Sequence, residues 1–195
     1  MKRFVSSIVL TLLAAAAVPV AAAEALKIGA PAPDFTLPSV AGGNVALKDL
    51  LAKNKAVAVI FIATRCPYSN GYNARMAALG KEYQAKGVAV VGINSNSTEP
   101  ADEVKEHATK QGFTFPVLKD AGNKVADLYS ANKTPEVFVI DPKGALLYHG
   151  RIDETHDRPN DVRSPDLRNA LEAILAGKPV PAAETKSFGC SIKRA

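Results

Sequence analysis

Eight consecutive apolar residues, "AVAVIFIA" from Ala56 to Ala63, run without polar interruption into Thr64, Arg65, Cys66 and Pro67. A segment this short and this rich in Val and Ile is expected to be a strand buried on both faces, which places it in the middle of a sheet covered by helices. Beyond Cys66, the residues Tyr72, Met76, Leu79 and Tyr83 are spaced four, three and four apart and share one helical face, which is expected to be core. The local order is strand, tight turn, helix, with Cys66 at the turn.

The alternation continues. Val88 to Asn94 is expected to be a strand. The loop "SNSTEP" supplies Ser or Thr caps before Pro100 and a helix reaching Gln111. A short strand near Phe115 to Leu118 and a short helix near Lys124 to Tyr129 follow. Glu136 to Asp141 and Ala145 to Arg151, joined by Pro-Lys-Gly, are expected to form an antiparallel hairpin. The last helix is signposted by Ser164 as N-cap, Pro165 at its first position, Leu167, Leu171 and Ile174 on one face, and Gly177 as its stop. Ahead of the central strand, Ala30 to Leu50 reads as short strands and turns. The sum is an α/β chain: a central mixed sheet flanked by helices, with an N-terminal β extension and an extended C-terminal tail, residues 178–195.

Residues 1–23 have the layout of a secretory signal peptide: Lys2 and Arg3, an apolar run from Phe4 to Val20, then Ala21 to Ala23. Cleavage there leaves residues 24–195 as a single domain, exported to a periplasmic or extracellular space. No later segment is long and apolar enough to cross a bilayer, so no membrane association is expected after cleavage. Losing Lys2 and Arg3 lowers the formal charge from +5 to +3, with no basic stripe, so no nucleic-acid partner is expected. The only cysteines are Cys66 and Cys190. In an oxidising compartment two thiols within reach tend to pair, which makes Cys190 the first candidate partner for Cys66.

A helix N-terminus favours the thiolate, and Arg65 adds a cation beside it, so Cys66 is expected to be partly exposed and activated, with Arg65 tuning its pKa. The 13 residues from Gly177 to Cys190 could extend on the order of 40 Å, enough to bring the tail to Cys66. Three readings stand: Cys190 resolves a Cys66 intermediate in a reversible disulfide, the pair is a permanent staple, or each cysteine pairs with another protein.

"PAPDFTLPSVAGG", "FIATRCPYSN", "VVGINSN", "KTPEVFVID" and "GCSIKR", in that order, resemble the redoxin and AhpC/TSA branch of the thioredoxin-like superfamily, especially its exported members. The resemblance covers nearly all of the mature chain and implies a thioredoxin-like fold. It implies that Cys66 is the nucleophile, that Pro135 is a cis-proline beside it, and that Thr134 offers its backbone to an extended substrate. It further implies thiol–disulfide exchange with disulfide or thiol substrate proteins, served by an electron-donating reductase, without a cofactor. Two departures matter. Ser69 stands where dithiol members carry a second cysteine, and Val59 and Ala63 stand where peroxidases of the family carry Pro and Thr. A local dithiol is thereby excluded, and efficient peroxide reduction is disfavoured. Peroxidase activity and a redox-inactive binding module with a structural disulfide are the alternatives.

No metal site is expected. His149, Asp153, Glu154, His156 and Asp157 fit no zinc or copper spacing, and "DETHDRPNDVRSPD" reads as a solvated loop.

Overall fold

A computed structural model describes residues 26–195, so the expected leader lies outside the described residues. The strand predicted from the apolar run is β3 (Ala56–Phe61), with every residue fully buried. It pairs in parallel with β4 (Val88–Asn94) and antiparallel with β7 (Glu136–Ile140). β5 (Val117–Lys119) joins β4, and β8 (Leu146–Gly150) joins β7, giving the mixed order β5-β4-β3-β7-β8. β3 is therefore central, as its composition requires.

Period-two alternation splits β3 between two cores. Ala56, Ala58 and Ile60 face Tyr72, Met76, Leu79 and Tyr83 of the long helical segment, together with Leu167 and Leu171 of α6 (Asp166–Leu175). Val57, Val59 and Phe61 face Leu47 of α1 (Leu47–Leu51) and Val125 and Ala126 of α5 (Lys124–Leu128). Each large apolar side chain removed from water in these clusters contributes roughly 1.5–3 kcal/mol. β1 (Thr36–Pro38) and β2 (Asn44–Ala46) form the N-terminal hairpin. α4 (Ala101–Lys110) follows β4.

The helix after Cys66 is broken once, into α2 (Pro67–Gly71) and α3 (Asn73–Ala85), with Tyr72 between them. A loop docks on the helix beside the break, where Gly71 makes room: a Cβ there would lie 2.5 Å from the carbonyl oxygen of His156. Arg75 then binds Asp153 at 2.6 Å and the carbonyls of Thr155 and His156 at 2.6 and 2.8 Å. Asp153 and Thr155 are buried, so the first residues of the segment expected to be solvated are pinned to the core, while Asp157 to Asp161 and Arg163 are exposed as expected. One arginine reaching several acceptors is the reason, and the spacing of charges along the chain carries no sign of it. Among the described residues no cluster of His, Cys, Asp and Glu could hold a metal, and no helix is long and apolar enough to cross a membrane.

Two caps differ from expectation. Ser164 does not cap α6; Pro165 holds that position, and the Ser164 hydroxyl donates to Asp166. Likewise Pro100, with no side-chain cap, precedes α4. Proline has no N–H of its own, so it leaves no donor unpaired where it enters a helix.

Candidate active site

Where β3 ends, the chain leaves the sheet and turns through Ala63, Thr64 and Arg65 into Cys66. That turn is held from two sides. The Ala63 N–H donates to Ser69 Oγ at 3.1 Å, and Asn70 Nδ2 donates to the Thr64 carbonyl at 2.9 Å. On the other side the Glu99 carboxylate accepts the N–H groups of Thr64 and Arg65 at 2.9 and 3.0 Å. Cys66 is thus presented as the N-cap of α2, with the Ser69 N–H directed at its sulfur from 3.4 Å. Pro67 occupies the first helical position, where its missing N–H costs nothing. Ser69, at the place of a second cysteine, is fully buried and serves the loop instead.

Cys66 is disulfide-bonded to Cys190, with Cα atoms 5.9 Å apart. Its exposure is only 3%, against the partial exposure expected at a strand end. The tail is what covers it. Thr185 and Ala183 bond to the backbone of His149 on β8, which steers the tail toward the site. There β9 (Cys190–Ser191) pairs antiparallel with β6 (Lys133–Thr134). Thr134-Pro135 is a cis peptide, and the Thr134 carbonyl oxygen lies 3.3 Å from Cys66 Sγ. Cys66, Cys190, Thr134 and Pro135 are therefore brought together.

Arg65 takes a different place from the one its sequence neighbourhood suggested. Its guanidinium pairs with Glu103, and its side chain is 59% exposed. That hydrogen bond and the Glu103 charge raise the Arg65 pKa, while Glu103 is held down at about 2 by the hydrogen bond from Arg65.

Two buried acids escaped the sequence reading, and each fixes one loop of the site. Burial alone would push the Glu99 carboxyl up, but hydrogen bonds from Thr64, Asn94 and Arg65 override it and hold the pKa below the ordinary value. Glu136 is governed by the same balance: burial opposes the charge, and His149, Asn132 and Lys133 outweigh it. A glutamate heading the apolar strand "EVFVI" is a signal that could have found Glu136; Glu99, in a polar loop, offers none.

Replacing Glu99 by glutamine is expected to cost about 1–3 kcal/mol at neutral pH, because one amide oxygen cannot serve both backbone donors and its NH₂ faces them unpaired. The folded pKa lies below the unfolded one, so the stabilisation is whole above the unfolded value of 4.5 and is lost as pH falls through the folded value. Urea unfolding at several pH values checks this: the gap between wild type and Glu99→Gln should close in acid.

Known proteins are similar to this chain in sequence and fold. The AhpC/TSA family profile covers residues 28–149, more than half of the chain. The chain belongs to the AhpC/TSA family. Among curated members of the wider group, the thiol-disulfide oxidoreductase ResA of Bacillus thuringiensis is 32% identical over 124 residues, 64% of this chain and 69% of ResA. A hypothetical protein from Sinorhizobium meliloti has a structure similar at TM-score 0.82, with 35% identity over 88% of this chain and 97% of its own. A putative thiol:disulfide interchange protein DsbE from Chlorobium tepidum matches at TM-score 0.63 and 28% identity, over 77% of this chain and 99% of its own. The thioredoxin-like fold expected from the sequence, a central mixed sheet flanked by helices, is thus present.

Proposed function

We propose that this AhpC/TSA member is an exported thiol–disulfide oxidoreductase in which Cys66 is the exchanging thiolate and Cys190 the resolving thiol. The observation that carries the reading is the Cys66–Cys190 disulfide seated between a helix N-cap and a cis-proline loop. In the reduced protein the Cys66 thiolate attacks a substrate disulfide, forms a mixed disulfide and releases one substrate thiolate. The Cys190 thiolate then attacks Cys66 Sγ, releases the second substrate thiolate and closes the internal bond. The substrate gains two electrons and the protein dithiol loses them, so an external dithiol must restore the enzyme. The Ser69 N–H and the N-cap position favour negative charge on Cys66 sulfur. Export is supported by the leader-like residues 1–23.

Exchange is preferred to peroxide reduction because Ala63 brings only a methyl group to the approach, and the Thr64 hydroxyl is already donated to Glu103 at 2.7 Å. The test is trapping. Cys190→Ser should accumulate mixed disulfides with substrate, identified on Cys66 by peptide mass mapping. Adducts that form equally well when Cys66 is also replaced would overturn the reading.

A further inference from the structure

We propose that the tail from Phe188 to Lys193 is an internal stand-in for substrate. The groove it fills takes an extended, cysteine-bearing segment of a partner polypeptide, with glycine immediately before the cysteine and an aliphatic residue two places after it. The inference rests on the exchange reading above and adds the kind of partner that the site selects.

Among the described residues, β6 pairs with no strand but β9, through Lys133 with Ser191 and Thr134 with Cys190. A substrate that pairs with the Thr134 backbone must therefore occupy the line the tail now holds. Further bonds of the tail's backbone continue along that line: Ile192 N–H to the Asn132 carbonyl at 3.1 Å, Lys193 N–H to the Asn96 side-chain Oδ1 at 2.7 Å, and Ser97 N–H to the Lys193 carbonyl at 2.9 Å. Backbone pairing of this kind binds any extended chain, and selectivity comes from where side chains fit.

Three positions are selective. Gly189 has φ +149°, and a Cβ there would lie 2.1 Å from the Thr134 carbonyl oxygen and 2.8 Å from its carbon. Backbone cannot yield as a flexible side chain does, so the place before the cysteine admits no side chain. Ile192 is 7% exposed between exposed Ser191 and Lys193, and it joins the core cluster containing Tyr129 and Ala131. Two places before the cysteine, Phe188 lies edge-on to the exposed ring of Tyr68 at 6.2 Å, an aromatic shelf beside Cys66. A short peptide that carries glycine, cysteine and isoleucine at this spacing reproduces the contacts that seat the tail.

The test uses the full chain carrying Cys190→Ser, with Cys66 reduced. The probes are peptides matching Ser187–Ala195 whose cysteine is joined by a disulfide to thionitrobenzoate. The Cys66 thiolate attacks the peptide sulfur, a Cys66–peptide disulfide forms, and the coloured thiolate leaves and is counted. A peptide with Gly189→Ala or with Ile192→Asp is expected to react about tenfold more slowly than the unchanged peptide, as befits a forced clash or an unmatched pocket. Placing Ile192→Asp in the chain as well, so that its own tail is unseated, should speed reaction with the unchanged peptide. Equal rates for the three peptides, with oxidised glutathione still modifying Cys66, would overturn the substrate-mimic inference and leave the exchange reading standing. No reaction at Cys66 with peptide or glutathione would overturn both.

Discussion

Exchange with small disulfides is expected to fall to the uncatalysed rate in Cys66→Ser, while Cys190→Ser retains the first exchange step and stalls at the mixed disulfide. The two variants are a matched pair. Both remove the same cross-link, so any loss due to weakened structure is shared. Only one removes the sulfur that sits at the N-cap of α2 with the Ser69 N–H aimed at it. A serine hydroxyl stays protonated at neutral pH, whereas a thiol in this position ionises far more readily. Single-turnover kinetics with oxidised glutathione, followed by mass mapping, separates the pair. Exchange that persists in Cys66→Ser and disappears in Cys190→Ser would reverse the assigned roles.

Reducing the Cys66–Cys190 bond is expected to lower the folding stability by about 5 kcal/mol on the chain-entropy account, since the sequence separation it closes is 124 residues. For a domain of this size that corresponds to a fall in Tm of about 10–20 °C. The cross-link ties the tail to the sheet centre, so the reduced chain regains the freedom of nearly two thirds of its length in the unfolded state. Calorimetry with and without a reductant measures the loss, and a redox titration of the same bond gives its potential. A potential below about −300 mV would identify a permanent staple and remove Cys190 from the catalytic cycle. A shift in Tm near zero would contradict the chain-entropy account, since native contacts of the tail cannot restrain the unfolded chain.

What was legible in the residues was whatever repeats within a few positions. The uninterrupted run from Ala56 to Ala63 announced a central strand because a strand buried on both faces has no polar side to display. Tyr72, Met76, Leu79 and Tyr83 announced their helix through a spacing that only one face satisfies, and all four are buried. Ser164 misled because a serine three residues ahead of an apolar repeat looks like a cap, while Pro165 took the position without needing one. "DETHDRPNDVRSPD" is exposed from Asp157 to Asp161, as it reads, but its start misled, because Arg75, far away in sequence, gathers Asp153 and two loop carbonyls around one guanidinium.

By itself the chain of letters determined the strand–turn–helix unit and the place of Cys66 within it, since periodicity and turn chemistry act between neighbours. Only the tertiary structure decided that Cys190 lies on Cys66, that Arg65 turns to Glu103, and that Glu99 holds the cysteine loop from 34 and 35 residues away. Those contacts depend on how the loops at the sheet's end converge in space. Local residue spacing carries no record of that convergence.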